Sequence, residues 1–123
     1  LEGSAHFLAE RSDDYLPDET IHDLYRVADA LILPSREEGF GIPVLEAGLA
    51  GIPAFCADIG PLREVGGPFL TYFSLDKAPR RIAGEVTERL EADMSFGLRQ
   101  RVRSVYTWGR VYEDFISPIL NEG

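Results

Sequence analysis

Two carboxylates, Glu38 and Glu46, bracket a short glycine-rich segment of the chain. Gly39 and Gly41 lack a Cβ, so the backbone between the two acids can approach a ligand closely. Pro43 suits the first turn of a helix, where its missing N–H would have no partner. A helix that begins there directs free N–H groups and the positive end of its dipole toward the glycines, which favours the binding of a phosphate.

The order of chemical groups along residues 38–46 indicates a class of ligand. A carboxylate is a poor partner for phosphate, but it accepts hydrogen bonds well from a pair of hydroxyls. With Glu46 placed in the first helical turn, the segment offers a hydroxyl acceptor, a phosphate site and a second hydroxyl acceptor. This is the layout of a nucleotide sugar. Taken alone, the two acids could also be a loop acid and a helix acid that the dipole favours.

The elements that position this segment follow from the hydrophobic pattern. Uninterrupted apolar runs predict strands covered on both faces, as in a parallel sheet, and the periodicity after Asp18 predicts a helix capped by Asp18 or Thr20. A turn is expected at residues 58–61, and a helical pattern runs from residue 76 onward. Within it, Tyr106, Trp108, Tyr112 and Phe115 are interpreted as core or interdomain packing. The predicted strands cover residues 5–8, 30–33, 53–57 and 69–73.

Alternation of strands and helices predicts an α/β fold with a Rossmann-like parallel sheet and flanking helices. Ligands of such sheets bind at the carboxyl ends of the strands, where a loop leads into the N-terminus of a helix. The loop at residues 35–43 occupies that position, directly after the predicted strand at 30–33. The candidate binding segment and the predicted topology therefore agree.

Composition narrows the classes of function. A chain of 123 residues suits one domain, taken as residues 1–123. Its net charge of −9 disfavours a nucleic-acid-binding surface, which needs clustered Lys and Arg. No group of His, Cys and acidic residues has metal-ligand spacing, so neither a metal nor another cofactor is expected.

The single cysteine, Cys56, lies in an apolar run and is predicted to be a buried core thiol. An unpaired thiol fits a reducing, cytoplasmic compartment. The sequence shows no signal peptide, and no apolar run approaches the roughly 18 residues of a membrane span.

Residues 38–47 resemble the E-x7-E signature of one large family of retaining GT-B glycosyltransferases, family 4. The flanks at 24–35 and 51–65 are also similar to that family, and Tyr106, Thr107 and Trp108 resemble its aromatic–Ser/Thr–Trp element. The similarity extends over about residues 7–118 and is most specific over 24–65.

The resemblance assigns roles to the segment. Glu38 matches the catalytic-site glutamate that contacts donor-sugar hydroxyls near the reacting centre, and Glu46 matches the glutamate that binds the ribose diol. The backbone amides between them are expected to approach the sugar and the diphosphate. The implied donor-binding residues are Glu38, Gly39, Phe40, Gly41, Ile42, Val44 and Glu46.

The resemblance also implies an activity: transfer of a hexose from a nucleoside-diphosphate sugar to an acceptor hydroxyl with retention, without a bound metal. The chain corresponds to an N-terminally truncated part of the C-terminal half of the GT-B fold. The family's diphosphate-neutralising Arg and Lys and its acceptor-binding domain have no counterpart in it. Because loss of such cations removes a large catalytic contribution, the chain alone is expected to have little or no activity. Arg36 or Arg63 could substitute.

Two further expectations concern partners. A truncated sheet would expose an edge and apolar helix faces, so self-association is expected; membrane contact would come only through the absent domain. The rival reading is a non-catalytic α/β module that binds a nucleotide or a protein. A dinucleotide-dependent oxidoreductase is disfavoured because no G-x-G-x-x-G follows an opening strand.

Overall fold

The computed structural model describes residues 5–8 and 15–121. The chain divides into two compact units, of which the first ends at Leu75 and the second begins at Asp76. The first unit contains a three-stranded parallel sheet in the order β1-β2-β3. Leu31 of β1 pairs with Ala54 of β2, and Phe55 of β2 pairs with Thr71 of β3. The predicted α/β class with a parallel sheet is confirmed. The strands are β1 (Leu31–Leu33), β2 (Ala54–Ala57) and β3 (Thr71–Phe73).

Helices connect the strands of the first unit, as parallel pairing requires. Helix α2 (Ile42–Ala50) joins β1 to β2, and α3 (Gly60–Gly66) with a 3-10 turn at Gly67–Phe69 joins β2 to β3. Helix α1 (Asp18–Val27) precedes β1. Gly51 ends α2 in the left-handed conformation (φ 72°), and its N–H donates to the carbonyls of Ala47 and Gly48.

The middle strand carries the core. All four residues of β2 are buried, as the apolar run at 53–57 predicts. By contrast, β1 pairs with β2 alone among the strands that the structure describes, and Ile32 in its centre is 52% exposed. Within residues 5–8 and 15–121, the opposite edge of β1 has no strand partner. The buried core cluster comprises Val44, Ala47, Ile52, Ala54, Cys56 and Leu62.

The second unit is helical, as predicted, but its chain is divided into several separate helices. Asp93 caps α5 by accepting a hydrogen bond from the Phe96 N–H at 2.9 Å, and Thr107 caps α6 by accepting one from Arg110 at 3.4 Å. No helix in the described part of the chain is long and apolar enough to cross a membrane. The elements are α4 (Pro79–Glu91), α5 (Met94–Val105), α6 (Trp108–Val111), a π-helical stretch (Tyr112–Ile116) and α7 (Ser117–Asn121).

For four aromatic residues in this unit, core packing is wrong, whereas packing against another domain stays a prediction. Trp108 is 85% exposed, and the other three are exposed as well. The helices that carry them are short and do not enclose the rings in the second unit. The four residues are Tyr106, Trp108, Tyr112 and Phe115.

Three local predictions in the first unit are also wrong. Residues 5–7 are irregular rather than a strand, because no described strand pairs with them. Neither Asp18 nor Thr20 caps α1, since the helix begins at Asp18 itself and the Thr20 N–H donates to the Pro17 carbonyl at 3.0 Å. The turn expected at 58–61 instead leads into α3, whose first turn tolerates Pro61.

Candidate functional site

The candidate segment follows the carboxyl end of β1. Glu38 lies half-buried in the loop before α2. The Ser35 hydroxyl donates a hydrogen bond to Glu38 Oε1 at 2.8 Å. This bond uses one acceptor site of the carboxylate and restricts its orientation, while Oε2 keeps its lone pairs for another donor.

Gly41 turns the chain from the loop into α2. It is buried and adopts a left-handed conformation (φ 77°, ψ 40°) at the N-cap position. A Cβ at this position would lie 3.1 Å from Leu62 Cδ2. The left-handed backbone strongly favours a residue without a side chain, and the close approach of Leu62 adds to that preference.

The positions between the two glutamates differ in what they offer a ligand. Gly39, Phe40 and Ile42 are exposed, with 64% of Phe40 accessible. Val44 instead places its side chain in the core, and its N–H already donates to the Gly41 carbonyl at 3.0 Å. A ligand would have to share the Val44 amide with this internal bond.

Glu46 lies one residue further from the start of α2 than predicted, which places it in the second turn. The helix begins at Ile42, so Glu46 is its fifth residue and belongs to the second turn. The prediction of a first-turn acid is therefore wrong, because it counted the helix from Pro43. The half-buried Glu46 lines a cavity of about 250 Å³ between α1 and α2, together with His22, Tyr25, Arg26, Leu49 and Ala50.

Tyr25 connects α1 to this cavity. Its hydroxyl donates to the Pro43 carbonyl at 3.4 Å, a long hydrogen bond. Burial, followed by interaction with the Glu46 carboxylate, raises the pKa of Tyr25 from 10.0 to about 12. The phenol therefore keeps its proton at neutral pH, and the Glu46 carboxylate is a neighbouring hydrogen-bond acceptor.

Arg63, one of two residues that could substitute for the family's cations, is exposed but already bonded to other side chains. Its Nη2 donates to Asp58 Oδ2 at 2.8 Å, its Nε also bonds that carboxylate, and its guanidinium lies 4.4 Å from the centre of the Tyr72 ring. The hydrogen bond from Arg63 holds the pKa of Asp58 below its usual value. The charge of Arg63 is thus already balanced by a carboxylate.

Cys56 is a fully buried thiol in the middle of β2. Burial, with a smaller contribution from the charge of Glu38, raises its pKa from 9.0 to about 11. The predicted core thiol is confirmed. Because the folded protein holds the proton more tightly, this contribution to stability is present below about pH 9 and is lost as the pH rises through about 11.

We expect Cys56 to resist thiol reagents in the native protein. At about pH 8, a pKa two units higher reduces the thiolate fraction roughly 100-fold, and burial slows access further. Reaction with Ellman's reagent, followed in buffer and in concentrated urea, measures the difference, with Cys56→Ala as the blank. Equal rates in the two solutions would contradict the burial of this thiol.

Sequence reasoning did not identify Ser35 and Tyr25 as partners of the two acids. The spacing of Ser35, three residues before Glu38, is a signal that could have indicated the first contact. Tyr25 lies at an apolar-periodic position of α1, and the polar tip of its side chain is the corresponding signal for the second. In the part of the chain that the structure describes, no group of three or more His, Cys, Asp or Glu residues could hold a metal ion.

Comparison with known proteins gives one family. Residues 14–104 match the family described as Glycosyl transferases group 1. The chain is 45% identical over 53 residues to the O-antigen chain mannosyltransferase B of Escherichia coli, which covers 43% of this chain and 14% of that protein. It is 30% identical over 122 residues to the mannosylfructose-phosphate synthase of Agrobacterium fabrum, covering 88% of this chain and 27% of that protein.

A third relative has a related name. The lipopolysaccharide core biosynthesis mannosyltransferase of Rhizobium meliloti is 28% identical over 114 residues, covering 78% of this chain and 32% of that protein. The chain therefore spans a third or less of the length of these three relatives.

Proposed function

Since the chain belongs to the group 1 glycosyl transferases, we propose that its residues 38–46 bind the nucleoside-diphosphate sugar from which the whole protein transfers a hexose to an acceptor hydroxyl, with retention. Residues 1–123 are then part of the donor-binding domain. The acceptor-binding domain would belong to the same protein. The names of the mannosyltransferase relatives make mannose the first hexose to test.

The observation that carries the proposal is the placement of both acids around one helix start. Glu38 stands before the left-handed Gly41, and Glu46 stands on α2, the helix that Gly41 opens. The start of a nine-residue helix favours a phosphate between them through its dipole. We assign Glu46 to the ribose diol and Glu38 to hydroxyls of the donor sugar near the reacting carbon.

The proposal includes the conditions of the reaction. Because Asp58 already balances the charge of Arg63, this residue is a poor source of positive charge for the leaving diphosphate. That positive charge has to come from another residue of the whole protein. We propose that transfer proceeds without a bound metal. A reducing compartment such as the cytoplasm suits the free Cys56.

Replacing Glu46 with glutamine tests the nucleotide half of the site. Hydrogen bonds to a charged group contribute roughly 1.5–3 kcal/mol, so we expect the dissociation constant of the preferred nucleoside diphosphate to rise roughly 10- to 150-fold. Calorimetric titration of the full-length protein with UDP, GDP and ADP, then with their mannose and glucose derivatives, measures this change and identifies the base.

Glu88→Gln in α4 is the matched control, because it removes one exposed carboxylate from the second unit. Its affinity should equal that of the wild type. Unchanged affinity in Glu46→Gln would reject the assignment of the ribose site. Nucleotide binding without any sugar transfer would favour the non-catalytic module.

A further inference from the structure

The phenol of Tyr25 donates to one acceptor on α2 and shares a cavity with a second acceptor on the same helix. One is the Pro43 carbonyl at 3.4 Å, in the first turn of the helix. The other is the carboxylate of Glu46, which lines the same cavity between α1 and α2. Because the hydroxyl hydrogen rotates freely about the C–O bond, the same oxygen can donate to either acceptor.

The two acceptors are unequal. A carboxylate accepts a stronger hydrogen bond than a neutral carbonyl, and the 3.4 Å separation from Pro43 is long for a bond donated by a hydroxyl. Glu46 is therefore the stronger of the two acceptors for this proton. Since Tyr25 is itself half-buried in the packing between two helices, it offers Glu46 a donor with little freedom to move.

Such a donor restricts the carboxylate. A free glutamate side chain samples several rotamers, and a ligand that needs one of them must select it. A carboxylate that already accepts one hydrogen bond from Tyr25 keeps its remaining acceptor sites in a defined direction. This is the arrangement that a vicinal diol requires, because its two hydroxyls must find two acceptor sites at once.

We propose that Tyr25 is a positioning residue that holds the Glu46 carboxylate for the 2′- and 3′-hydroxyls of a ribonucleotide, and so contributes to the preference for ribose over deoxyribose. The inference rests on the proposed function of Glu46. Tyr25 itself contacts no part of the ligand in this scheme, and its effect passes through the carboxylate.

The test compares Tyr25→Phe with the wild type, using the nucleoside diphosphate that binds the full-length protein most tightly among UDP, GDP and ADP, and its 2′-deoxy form. Phenylalanine keeps the ring and its packing, so only the hydroxyl is removed. We expect the affinity ratio of the ribo to the deoxy ligand to fall about three- to tenfold in the variant. Binding of the deoxy ligand should change little.

A purely structural role of Tyr25 would weaken both ligands equally, so an unchanged ratio overturns the inference. In a Glu46→Ala background, Tyr25→Phe should have no further effect on the ratio, and an additive effect would likewise overturn it. Tyr106→Phe, which removes a tyrosine hydroxyl from the second unit, is the control for deletion of the group itself.

Failure of the proposed function gives a different result. A wild-type protein that binds the two ligands equally well would show that no ribose diol is read at Glu46, and both proposals would then fall. A wild-type preference that persists unaltered in Tyr25→Phe rejects only the role of Tyr25.

Discussion

Replacing Glu38 with glutamine is expected to lower kcat/KM for sugar transfer by the full-length protein by on the order of 100-fold. Glutamine keeps the size of the side chain, and its carbonyl can still accept the hydrogen bond that Ser35 donates at 2.8 Å. Glutamine loses the negative charge, however, and an NH2 group replaces one carboxylate oxygen. This NH2 group is a hydrogen-bond donor that faces the sugar hydroxyls. Two weakened hydrogen bonds near the reacting carbon account for the expected loss.

Glu37→Gln is the matched control for this change, because Glu37 is the neighbouring acid and its side chain is exposed. It should retain the wild-type rate. Steady-state kinetics with saturating acceptor, together with thermal unfolding of both variants, separate a chemical effect from a folding defect. A Glu38→Gln enzyme with wild-type kcat/KM would remove Glu38 from the catalytic site.

The second large effect concerns stability. Leu62 in α3 is completely buried and belongs to the core cluster that also contains Val44 and Cys56. Truncation to alanine removes buried methyl groups and leaves a cavity that the parallel sheet cannot fully close. We expect Leu62→Ala to lower the free energy of unfolding by about 2–5 kcal/mol, a large part of the roughly 5–15 kcal/mol typical of a domain.

Urea denaturation of Leu62→Ala and of Leu49→Ala provides the measurement and its control. Leu49 lies in α2 and is 91% exposed, so the same substitution there should change stability by less than about 0.5 kcal/mol. Equal losses in the two variants would contradict the core position of Leu62. Since Leu62 also contacts the Gly41 position, its loss should loosen the turn into α2.

The sheet was predictable because its signals are local. The apolar runs at 30–33 and 53–57 contain the observed strands β1 and β2. Only β2 is buried on both faces, as an uninterrupted apolar run predicts, whereas Ile32 of β1 is exposed. Gly51 was similarly predictable as the end of α2, where a left-handed residue is required. Each of these features depends on neighbours within a few residues.

The wrong predictions depend on partners that the local sequence does not reveal. Residues 5–8 have the composition of a strand, but a strand also needs a hydrogen-bonding neighbour. Trp108 and its aromatic neighbours repeat at helical spacing, which indicates a common face without showing what covers it. Glu46 was misplaced by a single residue in the start of α2, and helix boundaries are often uncertain by that much.

In the candidate site too, the features set by neighbouring residues could be predicted, and those set by distant partners could not. Residues 38–46 could be chosen from sequence, since the two acids, the glycines and the proline are contiguous. Their side-chain partners could not, because the contact from Tyr25 to α2 bridges residues 18 positions apart. The engagement of Arg63 by Asp58 and Tyr72 depends on the geometry of α3 against β3, which no pattern of charges specifies.

The order of the strands in the sheet is also their order along the chain. During synthesis on a ribosome, β2, the strand that pairs with β1 in the described part of the chain, is complete once Ala57 has been added. The crossover between them contains residues 38–46, so the turn at Gly41 closes together with the first strand pair. Short sequence separations of this kind lower the entropic cost of closing each loop. The β1-α2-β2 unit can therefore assemble its backbone before β3 has left the exit tunnel.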